Sequence, residues 1–269
     1  MTIDLLLPVL LGVLGLVFGS FIATLAIRWP QGRSAMQGRS ACDSCGKGLA
    51  AGELIPVLSY LLQRGRCRGC GAAIRPSHLL TELIGCAIGV SAGLVAPGAP
   101  GIAGAIFGWL LLALAALDIA AYWLPNLLTG ALALTGVAAG LAGIAPAIPD
   151  RLVGGVAGFG VLWLVSWGYR RLRGRQGLGG GDPRMFGAIG LWLGWYALPM
   201  VLLAACLIGL AGVLGLLAGG KKLTGTDRLP FGLMLAAAGY AVWIGQGLYP
   251  PPVFGPVTAV VQMSQPAEN

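Results

Sequence analysis

The apolar run "LLLALAALDIAAYWLP" (residues 110–125) decides the fold, because it holds one ionisable side chain among residues that belong in hydrocarbon. The chain around it is 57% hydrophobic and only 10% charged, whereas soluble domains carry roughly 25% charged residues. Runs of about 20 apolar residues cross a bilayer as helices. The sequence therefore predicts an all-α polytopic membrane protein.

We expect about eight transmembrane helices, with this run in the third, at residues 5–27, 79–96, 102–124, 127–146, 152–169, 184–196, 198–219 and 230–248. The sixth is short, so 184–219 could instead form one broken helix. The predicted domains are a first transmembrane helix (1–27), a polar insert (28–78), a transmembrane core (79–249) and a flexible C-terminal tail (250–269).

The net charge of +8 is explained by topology. Eight of the 17 Lys and Arg residues lie in 28–75, five in 170–184 and three in 221–228, leaving only Arg151 elsewhere. With eight spans these three clusters fall on one side, which the positive-inside rule makes cytoplasmic. We therefore expect the N-terminus outside, the insert in the cytoplasm, and no nucleic-acid partner.

The polar insert contains two CxxC pairs, Cys42 with Cys45 and Cys67 with Cys70, separated by 21 residues. This spacing is typical of a tetrahedral zinc site with four thiolate ligands. The zinc would be structural, because so small a segment has few apolar residues of its own. Two disulfides are the alternative, which the reducing cytoplasm disfavours, and an iron–sulfur cluster is another.

Two aspartates are the candidate catalytic residues. Asp118 lies inside an apolar run, where an ionisable group is costly and marks a functional site by default. Asp182 opens the sixth span within "GLGGGDPRMFG" (177–187), and the topology puts both at similar depth. Asp182 before Pro183 also reads as a helix N-cap, and this alternative stays open.

Paired carboxylates can share one proton, so that one activates water while the other hydrogen-bonds the scissile carbonyl. That is the chemistry of an aspartic protease. Gly179, Gly180 and Gly181 would let an extended substrate backbone approach the carboxylates, since they have no side chains.

Several motifs in order along the chain resemble the bacterial type IV prepilin peptidases, which are GxGD-type intramembrane aspartyl proteases. The similar stretches are "GSFIATLAIRWP" (19–30), "IPVLSYLLQRGRC" (55–67), "TEL" (81–83), Asp118 with Pro125, "GLGGGD" (177–182), "AIGLWLGW" (188–195) and "LPFG" (229–232). Two departures lie near the aspartates: Asn126 stands where the family usually has Asp, and Arg184 where a Lys is expected nearby.

The resemblance implies a bacterial inner-membrane enzyme that removes the basic leader of prepilins and pseudopilins at the cytoplasmic face, with Asp118 and Asp182 as the catalytic pair. It also implies zinc on the four cysteines and, in many members, N-methylation with S-adenosylmethionine, whose site the sequence leaves unknown. Glu82 and Asp43 are candidate contacts for the basic leader.

Two rival functions remain. A transporter or ion channel could use two intramembrane carboxylates as a proton or cation site, although this leaves the four cysteines unexplained. An assembly platform of a secretion system, with vestigial aspartates, is the other.

Overall fold

The computed structural model describes residues 5–36, 40–42, 44–175, 177–221 and 229–249. Within those ranges the regular secondary structure is helical, so the all-α prediction is confirmed. The helices are α1 (Leu6–Arg28), α2 (Leu58–Leu62), α3 (Pro76–Val95), α4 (Ala99–Ala121), α5 (Asn126–Leu141), α6 (Ile148–Arg173), α7 (Asp182–Leu193), α8 (Leu198–Ala218) and α9 (Phe231–Leu248). Apart from the short α2, they occupy the predicted apolar runs, while the predicted tail at 250–269 lies outside the described residues.

Six helices, α1, α3, α4, α6, α8 and α9, are long and apolar enough to cross a membrane. The protein is therefore a multi-pass membrane protein. The other two predicted spans are shorter: α5 has 16 residues and α7 has 12, which gives about 24 Å and 18 Å of helix. Neither length matches the hydrocarbon core of about 30 Å.

The shortness of α7 follows from its place inside the bundle. Ten of its 12 residues are buried, so it contacts other helices rather than lipid and need not match the bilayer. It ends at Leu193, and the following Gly194 has a φ of 80°, which is left-handed and suits glycine. A turn at Trp195–Ala197 then leads into α8. The region 184–219 is thus two helices with a break between them.

The helices alternate in direction, which brings several connections to one end of the bundle. The contacts that fix these directions are Gly12–Val90 and Gly19–Glu82 (α1 with α3), Trp109–Gly85 and Gly101–Ala96 (α3 with α4), Gly104–Trp243 and Asp118–Leu233 (α4 with α9), and Gly154–Gly190 and Gly158–Phe186 (α6 with α7). The insert, the α4–α5 turn, the α6–α7 loop and the start of α9 therefore share one end, called the insert end below. Every described Lys and Arg except Arg151 belongs to a segment at this end.

Glycines bring α1 and α3 into backbone contact. A Cβ on Gly15 would lie 2.1 Å from the carbonyl oxygen of Gly85, and one on Gly85 would lie 2.3 Å from that of Gly15. Any side chain would force the helices apart. Membrane helices use small residues in this way to gain close packing. The insert between them is thereby held on a rigid helical pair.

Arg151, the cation outside the three basic clusters, is fully buried at the start of α6. Its guanidinium donates to the backbone carbonyls of Pro146, Gly136, Leu191, Trp192, Ile144 and Ala145, at 2.8–3.1 Å. The last carbonyls of a helix have no partner within it. Arg151 thus satisfies the last carbonyls of α7 and those of the connection between α5 and α6 together, at the end of the bundle opposite the insert.

Candidate active site and four-cysteine site

The carboxylate of Asp118 lies at the N-terminus of α9. Its Oδ2 accepts a hydrogen bond from the backbone N–H of Leu233 at 3.1 Å. Helix N-termini present unpaired N–H groups and favour anions. A Cβ on Gly232 would lie only 2.9 Å from the same oxygen. The glycine of "LPFG" is therefore needed to bring α9 against this aspartate.

Asp182 is the first residue of α7, and its carboxylate points back to the glycine turn. Its Oδ2 accepts the N–H of Gly179 at 2.9 Å. The N-cap position belongs to Gly181, and no side chain caps the helix there. The alternative in which Asp182 is a simple N-cap is wrong, since the side chain bonds the preceding turn and not an N–H of its own helix.

The two aspartates lie in one buried site at the insert end. Each aspartate is 5% exposed. Leu124 links their surroundings: a Cβ on Gly181 would lie 2.7 Å from Leu124 Cβ, and one on Gly232 would lie 3.0 Å from Leu124 Cδ2. The sequence predicted only a similar depth for these two carboxylates, whereas the structure has both of them beside Leu124.

The three glycines before Asp182 are not equivalent. A Cβ on Gly179 would lie 3.0 Å from Asp182 Oδ2 and one on Gly181 would crowd Leu124, whereas Gly180 has no atom within 4 Å of that position. Packing within the protein already explains the first and third. The prediction that all three admit a substrate backbone stays a prediction, and open space favours it at Gly180 alone.

Asn126 and Arg184, the two departures near the aspartates, contact each other. The guanidinium of Arg184 donates to the side-chain oxygen of Asn126. This bond joins the start of α5, just after the Asp118 helix, to the first turn of α7. The sequence marked both positions as unusual, but only the fold shows that they are partners.

An apolar groove of about 650 Å³ runs between α5, α6 and α7, with Arg184 and Asn126 among its lining residues. A smaller cavity of about 260 Å³ lies on the other side of Arg184, between α6 and the glycine turn. An apolar helical segment in the larger groove would lie beside the first turn of α7, which carries Asp182.

The four cysteines of the insert form one cluster. Their Sγ atoms all lie within 4.8 Å of one another, and those of Cys42 and Cys70 are 4.0 Å apart. Four thiolates around zinc at Zn–S distances of about 2.3 Å would lie about 3.8 Å apart. The cluster therefore has the size and the donor set of a tetrahedral zinc site, and it could hold a metal ion.

The two CxxC segments have the same hydrogen bonds. In the first, Cys42 N–H bonds the Lys47 carbonyl and Gly46 N–H bonds the Cys42 carbonyl, and in the second the pairs are Cys67 with Ala72 and Gly71 with Cys67, all at 2.9 Å. Gly46 and Gly71 both have φ of 71°, a left-handed conformation that glycine adopts without strain. Each segment is thus a tight turn that points two sulfurs at one centre.

Backbone donors prepare Cys67 for metal binding. The N–H groups of Cys70 and Gly69 lower the pKa of its thiol to about 6, which favours the thiolate that binds metal. The Ala72 N–H lowers the pKa of Cys70, but the hydrogen bond with the Cys45 thiol, burial, and the hydrogen bonds with the Cys67 and Cys42 thiols outweigh it and raise this pKa to about 11. Four thiols packed so closely do not all ionise without a cation.

The two candidate leader contacts have different outcomes. Glu82 is buried on α3, where its Oε2 accepts the N–H of Val57 at 2.7 Å. A role in leader binding stays a prediction and would require this bond to open. Asp43 lies outside the described residues.

Comparisons with known proteins cover both parts of the chain. Residues 13–95 match the Bacterial Peptidase A24 N-terminal domain, and residues 105–214 match the Type IV leader peptidase family. The first range includes the four cysteines and the second includes both aspartates. No solved structure matches the chain.

Several relatives carry the name "Prepilin leader peptidase/N-methyltransferase". The one from Aeromonas hydrophila is 38% identical, covering 75% of this chain and 70% of the relative. That from Burkholderia pseudomallei (strain K96243) is 41% identical, covering 76% of this chain and 66% of the relative. That from Klebsiella pneumoniae is 40% identical over 71% and 87%.

Proposed function

Because the chain belongs to the type IV leader peptidase family, we propose that it cleaves the basic leader from type IV prepilins and pseudopilins. In this proposal Asp118 and Asp182 are the catalytic pair. The observation that carries it is the single buried site that α4, α7 and the start of α9 build around two carboxylates.

The mechanism follows from the pair. One carboxylate takes a proton from water as the water attacks the scissile carbonyl, while the other, protonated, hydrogen-bonds the carbonyl oxygen. The carboxyl pair then gives a proton to the amide nitrogen as the C–N bond breaks, which releases the leader and leaves a new N-terminal amine. The Leu233 and Gly179 N–H groups hold the two side chains in place. The apolar groove beside Arg184 would receive the membrane segment of the substrate, so that helix packing contributes to specificity as much as charge.

The proposed location is the bacterial inner membrane with the insert end in the cytoplasm, which the collection of basic residues at that end supports. Zinc on the four cysteines would be structural and would fix the insert without taking part in hydrolysis. The names of the relatives also include an N-methyltransferase. We therefore propose that this protein also methylates the new N-terminus, with S-adenosylmethionine as the methyl donor. We assign the donor no pocket among the described residues.

The decisive experiment replaces each aspartate by asparagine. Asn keeps an acceptor oxygen for the Leu233 or Gly179 N–H but is not a general base, so Asp118→Asn and Asp182→Asn should fold and lose activity by about 10²–10⁴-fold. The double variant should be no worse than either single one, because residues that act as a unit are not additive.

Asp150 offers a matched control. It lies at the opposite end of the bundle, where it accepts a hydrogen bond from Trp195 Nε1 at 3.1 Å, and Asp150→Asn should cleave normally. The measurement is cleavage of a prepilin by equal amounts of membrane-inserted protein. Substantial turnover by Asp118→Asn or Asp182→Asn would eliminate the mechanism, and no cleavage by the wild type would favour a transporter or a platform.

A further inference from the structure

The insert presents an apolar face that no described residue covers. Leu61 is 60% exposed and Leu62 is 65% exposed. The whole face, called the leucine face below, consists of Leu54, Ile55, Leu58, Leu61 and Leu62, all of them exposed. Leu58, Leu61 and Leu62 follow the i, i+3, i+4 spacing of one helical face. Such a contiguous patch marks a contact with a partner or a membrane.

The opposite side of α2 packs against the turn that leads to the four-cysteine site. The side chain of Tyr60 lies against Gly65, where a Cβ would come within 3.0 Å of its hydroxyl. The carbonyl of Tyr60 also accepts the N–H of Gly65 at 2.9 Å. Gly65 begins the turn that leads to Cys67. This turn therefore supports α2 on the side opposite the leucine face.

A bond to α3 fixes the depth of this face. The Glu82 carboxylate accepts the N–H of Val57, the residue just before α2. Val57 has φ of 61° and ψ of −53°, rare for a β-branched residue, and such a conformation persists only where its surroundings enforce it. Glu82 is six residues from the start of α3, about 9 Å along the helix. The insert thus reaches back along α3.

That depth is about 9 Å inside the insert-side edge of the hydrocarbon core, within the roughly 5–10 Å to which an interfacial apolar face is buried. The 20 residues of α3 give about 30 Å of helix, the thickness of the core itself. Leu80 and Leu83, on either side of Glu82, are exposed on α3 and face lipid in a membrane-spanning helix. The leucine face therefore lies at the same depth as the lipid-facing side of α3.

Charge agrees with this placement. Arg64, Arg66 and Arg68 are exposed and follow α2 directly. Exposed cations beside an apolar face suit the anionic headgroups of a bilayer surface. A purely aqueous module would gain nothing from five exposed aliphatic side chains at this point.

We propose that the leucine face is inserted in the membrane interface at the insert end, so that the four-cysteine module lies on the bilayer beside α3 rather than free in water. The partner is the lipid surface: acyl chains receive the leucines, and anionic headgroups receive the arginines. This binding is independent of peptide cleavage and of which metal fills the cysteine site.

The test uses the full chain in nanodiscs of phosphatidylcholine and phosphatidylglycerol. A fluorescent amino acid replaces Leu62, or Gly48 as the matched control, where a side chain would meet no atom within 4 Å. Lipids with brominated acyl chains should quench the probe at 62 several-fold more than at 48, and aqueous iodide should show the reverse order. Equal quenching by iodide at both positions would overturn the proposal. Shielding of position 62 from both quenchers would also overturn it, because protein and not lipid would then cover the face.

A second measurement covers the case in which the probe disturbs the insert. The variant Leu61→Ser with Leu62→Ser should release the module from the bilayer, so trypsin should cleave at Arg64 and Arg66 several-fold faster than in wild-type nanodiscs. A control variant, Gly48→Ser, should leave the rate unchanged. Equal cleavage rates for wild type and the double serine variant would refute insertion.

Discussion

The spacing between the glycine turn and the α4–α5 connection should be as important to catalysis as the aspartates themselves. In Gly181→Ala the new Cβ would lie 2.7 Å from Leu124 Cβ. Carbon atoms pack at about 3.5–4.0 Å, so about 0.8 Å or more must open between these segments. Leu124 Cβ is fixed to its backbone, and a change of rotamer therefore does not relieve the clash.

The displacement falls on the site because Gly181 precedes Asp182 and Leu124 follows the helix that carries Asp118. Overpacking of this kind costs about 1–3 kcal/mol, and a misplacement near 1 Å can cost about 10²-fold in rate. We expect Gly181→Ala to cleave prepilin about 10- to 100-fold more slowly than wild type, mainly through kcat. Gly181 has φ of −86°, so alanine adds no backbone strain.

Gly180→Ala is the matched control. Its new Cβ would meet no atom within 4 Å, and substitutions in open positions stay within about 0.5 kcal/mol. If packing against Leu124 is the reason for the glycines, its rate should stay within about twofold of wild type. The assay is cleavage of a prepilin by equal amounts of inserted enzyme, with kcat and KM measured separately. Full activity in Gly181→Ala would refute the spacing argument, and equal losses in both variants would show that a substrate backbone, and not Leu124, needs the glycines.

Two further predictions concern stability. Arg151→Lys replaces a fork of donors by three N–H groups and leaves about three of its six carbonyls without this donor, which should lower the free energy of unfolding by about 3 kcal/mol. Thermal unfolding in detergent, with the exposed Arg173→Lys as the control, measures this loss. Equal melting temperatures of the two variants would contradict it. The purified protein should carry about one zinc ion, and Cys67→Ser should loosen the insert and reduce cleavage without abolishing it; elemental analysis without zinc, or an iron–sulfur absorbance, would contradict the assignment.

The helices could be predicted from the sequence because lipid imposes a simple rule on composition. The predicted spans start and end within a few residues of most observed helices. The exception is α6, which continues to Arg173, because its last residues are charged and therefore fall outside an apolar run. The length of α7 could be read as short, but its central position could not. A helix surrounded by protein and one surrounded by lipid have the same apolar composition.

The contacts of the site were beyond the sequence for a different reason. Asp118 meets Leu233, and Arg184 meets Asn126, yet neither spacing along the chain says which helix ends lie together. Arg151 is the clearest case. Its six acceptors are backbone carbonyls, which every residue has and which therefore leave no signal in the sequence.

The distribution of cations is consistent with the proposed chemistry. A guanidinium against two carboxylates would favour the ionised form of both, and the protease mechanism needs one shared proton. Arg184 is only two residues from Asp182, but its guanidinium bonds the neutral amide of Asn126. Arg151 is buried at the far end of the bundle, on carbonyls alone. The aspartates are bound instead by N–H groups of Leu233 and Gly179, which hold a carboxyl group without adding a formal positive charge. On the proposed mechanism, Asn126 matters because it gives Arg184 a partner other than the catalytic pair.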